Sequence, residues 1–336
     1  MTIEKKKPII GITMGDAAGI GPEIILKALH EREVQECCHP LLLGDLQVLA
    51  ETGARLGLNV DFNKMECIET SKLSAAAINL IDYDNVDTSK LITGTVDPVC
   101  GEASYVYLKD ACLLTLDGKL DAMVTAPVSK EALWLAGHQY EGQTQILGEL
   151  CSVLKINMML INEKLKVVLL TRHMSLIEAI KSITAELIFE TIVLINDSFS
   201  EFGLAKPKIG VAGLNPHASE TGIFGDEESK KIRPPIRRCQ SMGINVDGPY
   251  PADTIFMRGL SGEFDIVLAL YHDQGMIPIK MAGFSKPITF ILGLPIIRTS
   301  VGHGTAFDIA GRNIADHGSL VEAIKYASFL VGNRRK

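Results

Sequence analysis

A chain of 336 residues, 47% apolar and 22% charged, holds enough material for one large or two medium globular domains. Its formal net charge of −7 excludes a broad nucleic-acid-binding surface, so an anionic ligand must be met by individually placed Lys or Arg side chains. The seven cysteines, Cys37, Cys38, Cys67, Cys100, Cys112, Cys151 and Cys239, are irregularly spaced and contain no C-x-x-C, which argues against a disulfide framework or a structural zinc site. The polar start from Met1 to Lys7 runs into Pro8 without a signal-peptide pattern, and no apolar stretch reaches the length of a membrane span. A cytoplasmic protein is expected, with neither membrane nor nucleic acid as partner.

Short apolar runs alternate with helical periodicity along the whole chain. Pro8 to Thr13 predicts a buried strand, and Pro22 to Leu29 a helix with proline at its start. Pro40 to Leu43 predicts the next strand, after which Asp45 is placed to cap a helix running through Leu56. Further strands are expected at Ile78 to Ile81, Ala122 to Thr125, Met158 to Ile161, Val167 to Leu170, Ile209 to Ala212 and Ile266 to Leu270. Helices are expected at Glu102 to Leu116, Ala185 to Phe199 and Leu320 to Leu330. This rhythm predicts an α/β/α sandwich around a largely parallel sheet. No linker marks a boundary. The His-containing loops nevertheless divide the chain into a first lobe of residues 1–125 plus 286–336 and a second lobe of residues 126–285.

Three histidines follow expected strands: His173 in TRHMSL, His217 in LNPHASE and His272 in LYHDQG. Ligands of open α/β sheets bind at the carboxyl ends of strands, so these loops can converge on one crevice. Imidazoles at such a place suit a first-row metal with an open position for substrate oxygens. Separate loop-capping hydrogen bonds explain each histidine equally well, because separations of 44 and 55 residues form no local metal motif. GDAAGIGPE (Gly15 to Glu23) is a glycine-rich turn between strand and helix. Its amides either hold an anion or simply let the helix pack on the strand. Lys280 in IPIK and Arg298 in GLPIIRTS are candidates for gripping a carboxylate or phosphate. In HGTA, His303 and Gly304 are expected on a turn entering a helix, a suitable place to meet a nucleotide.

GDAAGIGPE, TAPVSKEAL, LNPHASETGIFGDEE, GPYPADTIF, LYHDQGMIPIK and GLPIIRTSVGHGTAFDIAG together resemble the 4-hydroxythreonine-4-phosphate dehydrogenase family of pyridoxine (vitamin B6) biosynthesis, which includes dehydrogenases of four-carbon sugar-acid phosphates. The resemblance runs from Ile10 to beyond Ala315. It implies a two-lobed α/β/α fold like isocitrate and isopropylmalate dehydrogenases, with the active site in the inter-lobe cleft. It also implies a homodimer with shared active sites, in which His173 and His217 of one subunit are joined by His272 of the partner subunit as ligands of a divalent metal. Zinc is the expected ion, with magnesium, manganese or cobalt as alternatives. By the same resemblance Gln143, Thr144, Lys280, Thr289 and Arg298 fall on substrate-binding positions and Lys280 is a candidate catalytic residue. His303, Gly304, Thr305, Ala306 and Asp308 fall on the cofactor loop for NAD or NADP.

The implied reaction is NAD(P)-linked oxidation of the C3 hydroxyl of 4-hydroxythreonine 4-phosphate, or of a related small anionic phosphate, followed by decarboxylation. Threonate 4-phosphate, erythronate 4-phosphate or an aromatic dihydrodiol are alternative substrates, and a catalytically silent metabolite-binding relative is an alternative of another class. Four departures bear on the substrate. The family's G-H-T-E reads Gly142-Gln143-Thr144-Gln145 here, Thr289 stands where the family has an Asn, and Gly302 replaces the Asp before HGTA.

Overall fold

The computed structural model describes residues 7–162, 165–282 and 286–334. Two compact units are present, one made of the chain up to residue 154 together with 294–332, the other of 155–293 with the chain end from 333. The expected boundaries at 125/126 and 285/286 therefore move to 154/155 and 293/294. The physical reason is that the two helices after residue 125 pack on a long helix of the first unit, a non-local contact with no counterpart in local composition.

Unit 1 opens with β1 (Ile9–Thr13), α1 (Gly21–Leu29), α2 (Arg32–Cys37), β2 (His39–Gly44), α3 (Leu46–Leu56), β3 (Phe62–Lys64) and β4 (Ile78–Asp82). It continues with α4 (Pro98–Leu116), β5 (Ala122–Thr125), α5 (Lys130–Leu135) and α6 (Gln143–Leu150). Asp45 caps α3 as expected, its Oδ1 accepting from the backbone N–H groups of Gln47 and Val48 at 3.0 and 3.1 Å. Asp97 and Ser129 do the same for α4 and α5. Every residue of β1 is buried, the mark of a parallel strand covered on both faces.

Unit 2 holds β6 (Asn157–Asn162), β7 (Leu165–Leu169), α7 (Leu176–Ser182), α8 (Ala185–Glu201), β8 (Ile209–Ala212), α9 (Arg233–Ser241), β9 (Val246–Tyr250), α10 (Ala252–Leu260), β10 (Ile266–Ala269), α11 (His272–Met281) and β11 (Ile288–Leu292). The chain then returns to unit 1 through β12 (Arg298–Val301) and α12 (Gly318–Arg334).

In unit 1 the strands are ordered β3-β4-β2-β1-β5-β12, and every pairing is parallel. From β1 the chain first builds one side of the sheet through β2 and later the other side through β5. The β1/β5 boundary is therefore the switch point at which α/β sheets bind ligands. In unit 2 the order is β11-β6-β7-β10-β8-β9. Here β7, β10, β8 and β9 run parallel, while β6 is antiparallel to both of its neighbours. Its core gathers Leu165, Val167, Leu169, Ile255, Phe264 and Val267 among others. No helix among the described residues is long and apolar enough to cross a membrane.

Candidate functional site

In unit 1 the loops after β1, β5 and β12 are the motif segments GDAAGIGPE, TAPVSKEAL and GHGTA. The first is a structural turn. Its backbone amides are committed within the protein: Asp16 N–H donates to Pro127 O, Gly19 N–H to Asp16 O, Ile20 N–H to Thr305 O, and Ala18 N–H to Asp16 Oδ1. Glycine is required at Gly15, where φ is +72° and a Cβ would lie 2.3 Å from Pro127 O, and at Gly21, where it would lie 2.4 Å from Met14 O. The anion cradle is thus not what this turn builds, and its packing role explains the glycines. Asp16 itself is fully buried, and its Oδ2 has no partner. Burial pushes its carboxyl up to about 6, against the lowering effect of backbone hydrogen bonds from Ala18 and Ser129.

Arg298 is the cation of this unit. It starts β12, is 3% exposed, and directs Nη2 to Thr125 Oγ1 at 2.6 Å and to Gln143 Oε1 at 2.8 Å. Its Nε has no partner, and among the described residues no carboxylate pairs with it. Burial alone lowers the guanidinium to about 9, so it remains a cation at neutral pH without a counter-charge. A buried unpaired charge is costly, and an anion arriving at Arg298 removes that cost. Gln143, at the start of α6, also donates Nε2 to Ala126 O at 2.9 Å. Both polar ends of its amide therefore serve the protein. Thr144 is half-buried beside it, and Gln145 is exposed, with Oε1 accepting from Glu141 N–H.

The HGTA segment does not open a helix, contrary to the sequence expectation. After β12 the chain passes through turns from residue 307 to 313 and becomes helical at Gly318. Ala306 adopts a positive φ of 45°, and Gly19 approaches so closely that a Cβ would lie 3.0 Å from Thr305 O. His303, Gly304 and Asp308 are exposed, with Thr305 and Ala306 half-buried.

In unit 2 the three histidines leave the C-terminal ends of β7, β10 and β8, three adjacent parallel strands with β10 in the middle. Sheet order decides which of them meet. His173, after β7, and His272, after β10, have ring centroids 5.8 Å apart. Two imidazoles sharing one tetrahedral ion, with metal–nitrogen bonds of about 2.0–2.1 Å, hold their ring centres roughly 5–6 Å apart, so this pair fits two positions of a metal site. His272 Nδ1 is 2.7 Å from Asp273 Oδ1, the carboxylate–imidazole pairing that orients a ligand ring with Nε2 outward. His217 does not complete the set within one chain. Among the described residues, no group of three His, Cys, Asp or Glu side chains is arranged to hold a metal.

The His217 loop has an uncommon backbone. His217, Ala218, Ser219, Glu220 and Thr221 have φ of 54°, 51°, 71°, 42° and 63°, a left-handed turn of five non-glycine residues. This region costs an L-residue roughly 1–2 kcal/mol, and such strain collects at functional sites. Ser219 Oγ donates to Gly225 O at 2.5 Å, closing the turn.

Lys280 is exposed in the last turn of α11. Eight residues separate it from His272, about 12 Å along the helix axis, so the chain does not bring these two side chains together. Thr289 is buried in β11, opposite Leu160 of β6. Sequence reasoning missed Thr125, Asp16, Thr171, Gln274 and Glu228. The signal for Gln274 and Thr171 was their place within two residues of a strand-end histidine.

The fold is that of an α/β protein built on largely parallel sheets, with a buried guanidinium reaching the end of β5 in one unit and imidazoles just past the strand ends in the other. Residues 36–327 match the family of the pyridoxal phosphate biosynthetic protein PdxA, and the chain belongs to that family. It is 49% identical to a provisionally assigned D-threonate 4-phosphate dehydrogenase of Oceanobacillus iheyensis, covering 96% of this chain and 97% of that one. It is 43% identical to the D-threonate 4-phosphate dehydrogenase of Cupriavidus necator, covering 97% and 98%. The crystal structure of a 4-hydroxythreonine-4-phosphate dehydrogenase from Klebsiella pneumoniae superposes with a TM-score of 0.90 at 38% identity, covering 97% and 98%.

Proposed function

We propose that this chain is an NAD(P)-linked dehydrogenase of a four-carbon acid 4-phosphate, with threonate 4-phosphate ahead of 4-hydroxythreonine 4-phosphate. Membership of a family whose named relatives are dehydrogenases makes it an oxidoreductase. The observation that carries the substrate class is Arg298, a buried guanidinium whose Nε has no partner and which no carboxylate pairs with among the described residues. The order of substrates is supported by the threonate-type relatives and by Gln143, whose amide is already committed to Arg298 and Ala126.

In the proposed reaction the C3 alcohol loses its hydroxyl proton and a hydride, giving a β-keto acid. The C1–C2 bond then breaks, carbon dioxide leaves, and the electron pair left behind is protonated at C2. From threonate 4-phosphate this gives dihydroxyacetone phosphate. When bound, a nicotinamide supplies the hydride acceptor and a divalent ion supplies Lewis acidity at the hydroxyl. His173, His217 and His272 are the residues to hold the ion, and the loop of His303, Gly304, Thr305, Ala306 and Asp308 to hold the nicotinamide nucleotide. Arg298 grips the anionic end of the substrate, Thr125 and Gln143 fix the guanidinium plane, and Thr144 and Thr289 are further substrate positions. Lys280 is assigned to neutralising charge as carbon dioxide leaves.

The three-imidazole set is proposed to be completed across a homodimer. In support, exposed large apolar side chains follow each histidine in the chain: Leu176 and Ile177 after His173, Ile223 and Phe224 after His217, and Ile277 after His272. Exposed apolar clusters of this kind mark contact surfaces.

The test is reduced-cofactor formation with NAD and NADP on threonate 4-phosphate, erythronate 4-phosphate, 4-hydroxythreonine 4-phosphate and an aromatic dihydrodiol. Turnover of threonate 4-phosphate with release of dihydroxyacetone phosphate is expected. Binding without turnover across the panel would instead establish a metabolite-binding relative.

A further inference from the structure

We infer that Gln274 is a positioning residue that locks the His217 and His272 loops together, as the centre of a buried hydrogen-bond chain joining all three histidine loops. The inference deepens the metal reading above and rests on it for one of its two tests. The chain begins after β7, where Thr171 Oγ1 donates to Leu270 O at 2.9 Å, tying the His173 loop to the end of β10. Leu270 N–H then donates to Gln274 Oε1 at 2.7 Å. Gln274 Nε2 donates to Gly213 O at 2.8 Å, crossing to the end of β8. Finally, the N–H groups of Leu214 and Asn215 donate to Glu228 Oε1 at 2.9 and 2.7 Å, two residues before His217. Thr171, Gln274 and Glu228 are all buried.

The chemistry of position 274 is specific. One partner is an N–H and the other a carbonyl, so the side chain must accept at one atom and donate at the next, which among side chains of this length only an amide does. These two partners also fix which way round the amide lies. Buried backbone groups left without a partner are strongly disfavoured, so the chain holds the strand ends in one arrangement. The lever is short. Gln274 stands two residues after His272 in the first turn of α11, whose N-cap Tyr271 supplies no side-chain cap. The helix start is pinned to the sheet as well, because at Gly275 a Cβ would lie 2.5 Å from Leu169 Cδ2 and 2.8 Å from Val167 Cγ1. With α11 fixed, the reach of Gln274 to Gly213 O sets where the left-handed His217 turn begins relative to His272.

The experiment compares Gln274→Met, which keeps length and burial, and Gln274→Glu, which keeps the bond to Leu270 N–H, with Thr191→Val as control. Thr191 is a buried hydroxyl bonded to Leu187 O within α8, with no part in the hydrogen-bond chain. Two readouts are taken on metal-stripped full-length protein: cobalt(II) affinity by equilibrium titration, and the ring signals of isotope-labelled histidines by NMR before metal is added. Both Gln274 variants are expected to bind cobalt roughly 10- to 100-fold more weakly, with displaced His217 and His272 signals. Thr191→Val is expected to melt earlier while matching wild type in both readouts. Gln274 variants that melt earlier yet keep wild-type cobalt affinity and unmoved His217 signals would reduce Gln274 to a structural residue and overturn the inference. If the wild type takes up no cobalt, the metal reading fails, and the ring signals alone decide whether Gln274 positions the loops.

Discussion

Replacing Arg298 by methionine is expected to stabilise the ligand-free protein while abolishing its response to anions. Burial alone lowers the guanidinium to about 9, and a fall of several pKa steps at 1.36 kcal/mol each is on the order of 5 kcal/mol held against folding. For a base with a depressed folded-state pKa, the cost is fully present below about 9 and fades as the pH rises above it toward the ordinary guanidinium value. It is therefore constant between pH 6 and 8. Methionine fills the space and removes the charge. It also loses the hydrogen bonds to Thr125 Oγ1 and Gln143 Oε1, worth about 1 kcal/mol each. A net gain of about 3 kcal/mol remains, which for a unit of this size corresponds to a rise of roughly 5–10 °C in melting temperature. Wild type should in turn be stabilised by inorganic phosphate, by about 2.7 kcal/mol at a hundredfold excess over Kd, and the variant should not. The assay is thermal unfolding at pH 7 with and without phosphate. A variant that melts below wild type and still shifts with phosphate would refute the assignment of Arg298 as an uncompensated cation awaiting an anion.

Asp16→Asn tests a second buried group with an unpartnered atom. A carboxyl raised to about 6 by burial favours folding below its unfolded value and loses that contribution as pH rises through 6, so the variant should gain about 3 kcal/mol over wild type at pH 8. The gain should vanish at pH 4, and denaturant titrations at the two pH values check it. Gln143→His frees one ring nitrogen to face a ligand and is expected to raise kcat/KM for 4-hydroxythreonine 4-phosphate relative to threonate 4-phosphate. An unchanged ratio removes position 143 from specificity. For the shared site, His173→Ala is co-refolded once with His272→Ala and once with His217→Ala, and at least one pairing should recover roughly a quarter of wild-type activity. No recovery in either pairing, with mixed dimers confirmed by mass, refutes it. Ile177→Asp, which places a charge at an exposed apolar position of α7, four residues after His173, is expected to shift sedimentation toward the monomer and lower activity in proportion.

Apolar runs placed β1, β2, β4 to β8 and β10 within one or two residues, because strands buried on both faces carry little else. Four strands escaped and three have a physical excuse; the fourth, β11, is an apolar run buried throughout and was open to the same reading. Strand β3 is a three-residue edge strand with half-exposed side chains, β9 carries Gly248 and Pro249, and β12 begins with a charged residue that only tertiary structure buries. The domain boundary failed for a related reason: residues 126–154 belong with unit 1 through α5 and α6 packing on α4, and nothing local marks that. Family resemblance, carried by long motif blocks, was legible in full and is confirmed by the match over residues 36–327.

The candidate site shows most clearly where linear reading stops. That three histidines follow strands is a local fact; that β10 lies between β7 and β8 is a topological one, and it pairs His173 with His272 inside one chain. The same topology places Gln274, at the start of the helix after the central strand, where its side chain reaches across to the end of β8. Unit 1 repeats the point with charge. Arg298 and Gln143 are 155 residues apart and look like separate ligand contacts in the sequence, yet they form one hydrogen-bonded pair. Because Gln143 has committed both its donor and its acceptor, the neutral amide supports the guanidinium without neutralising it.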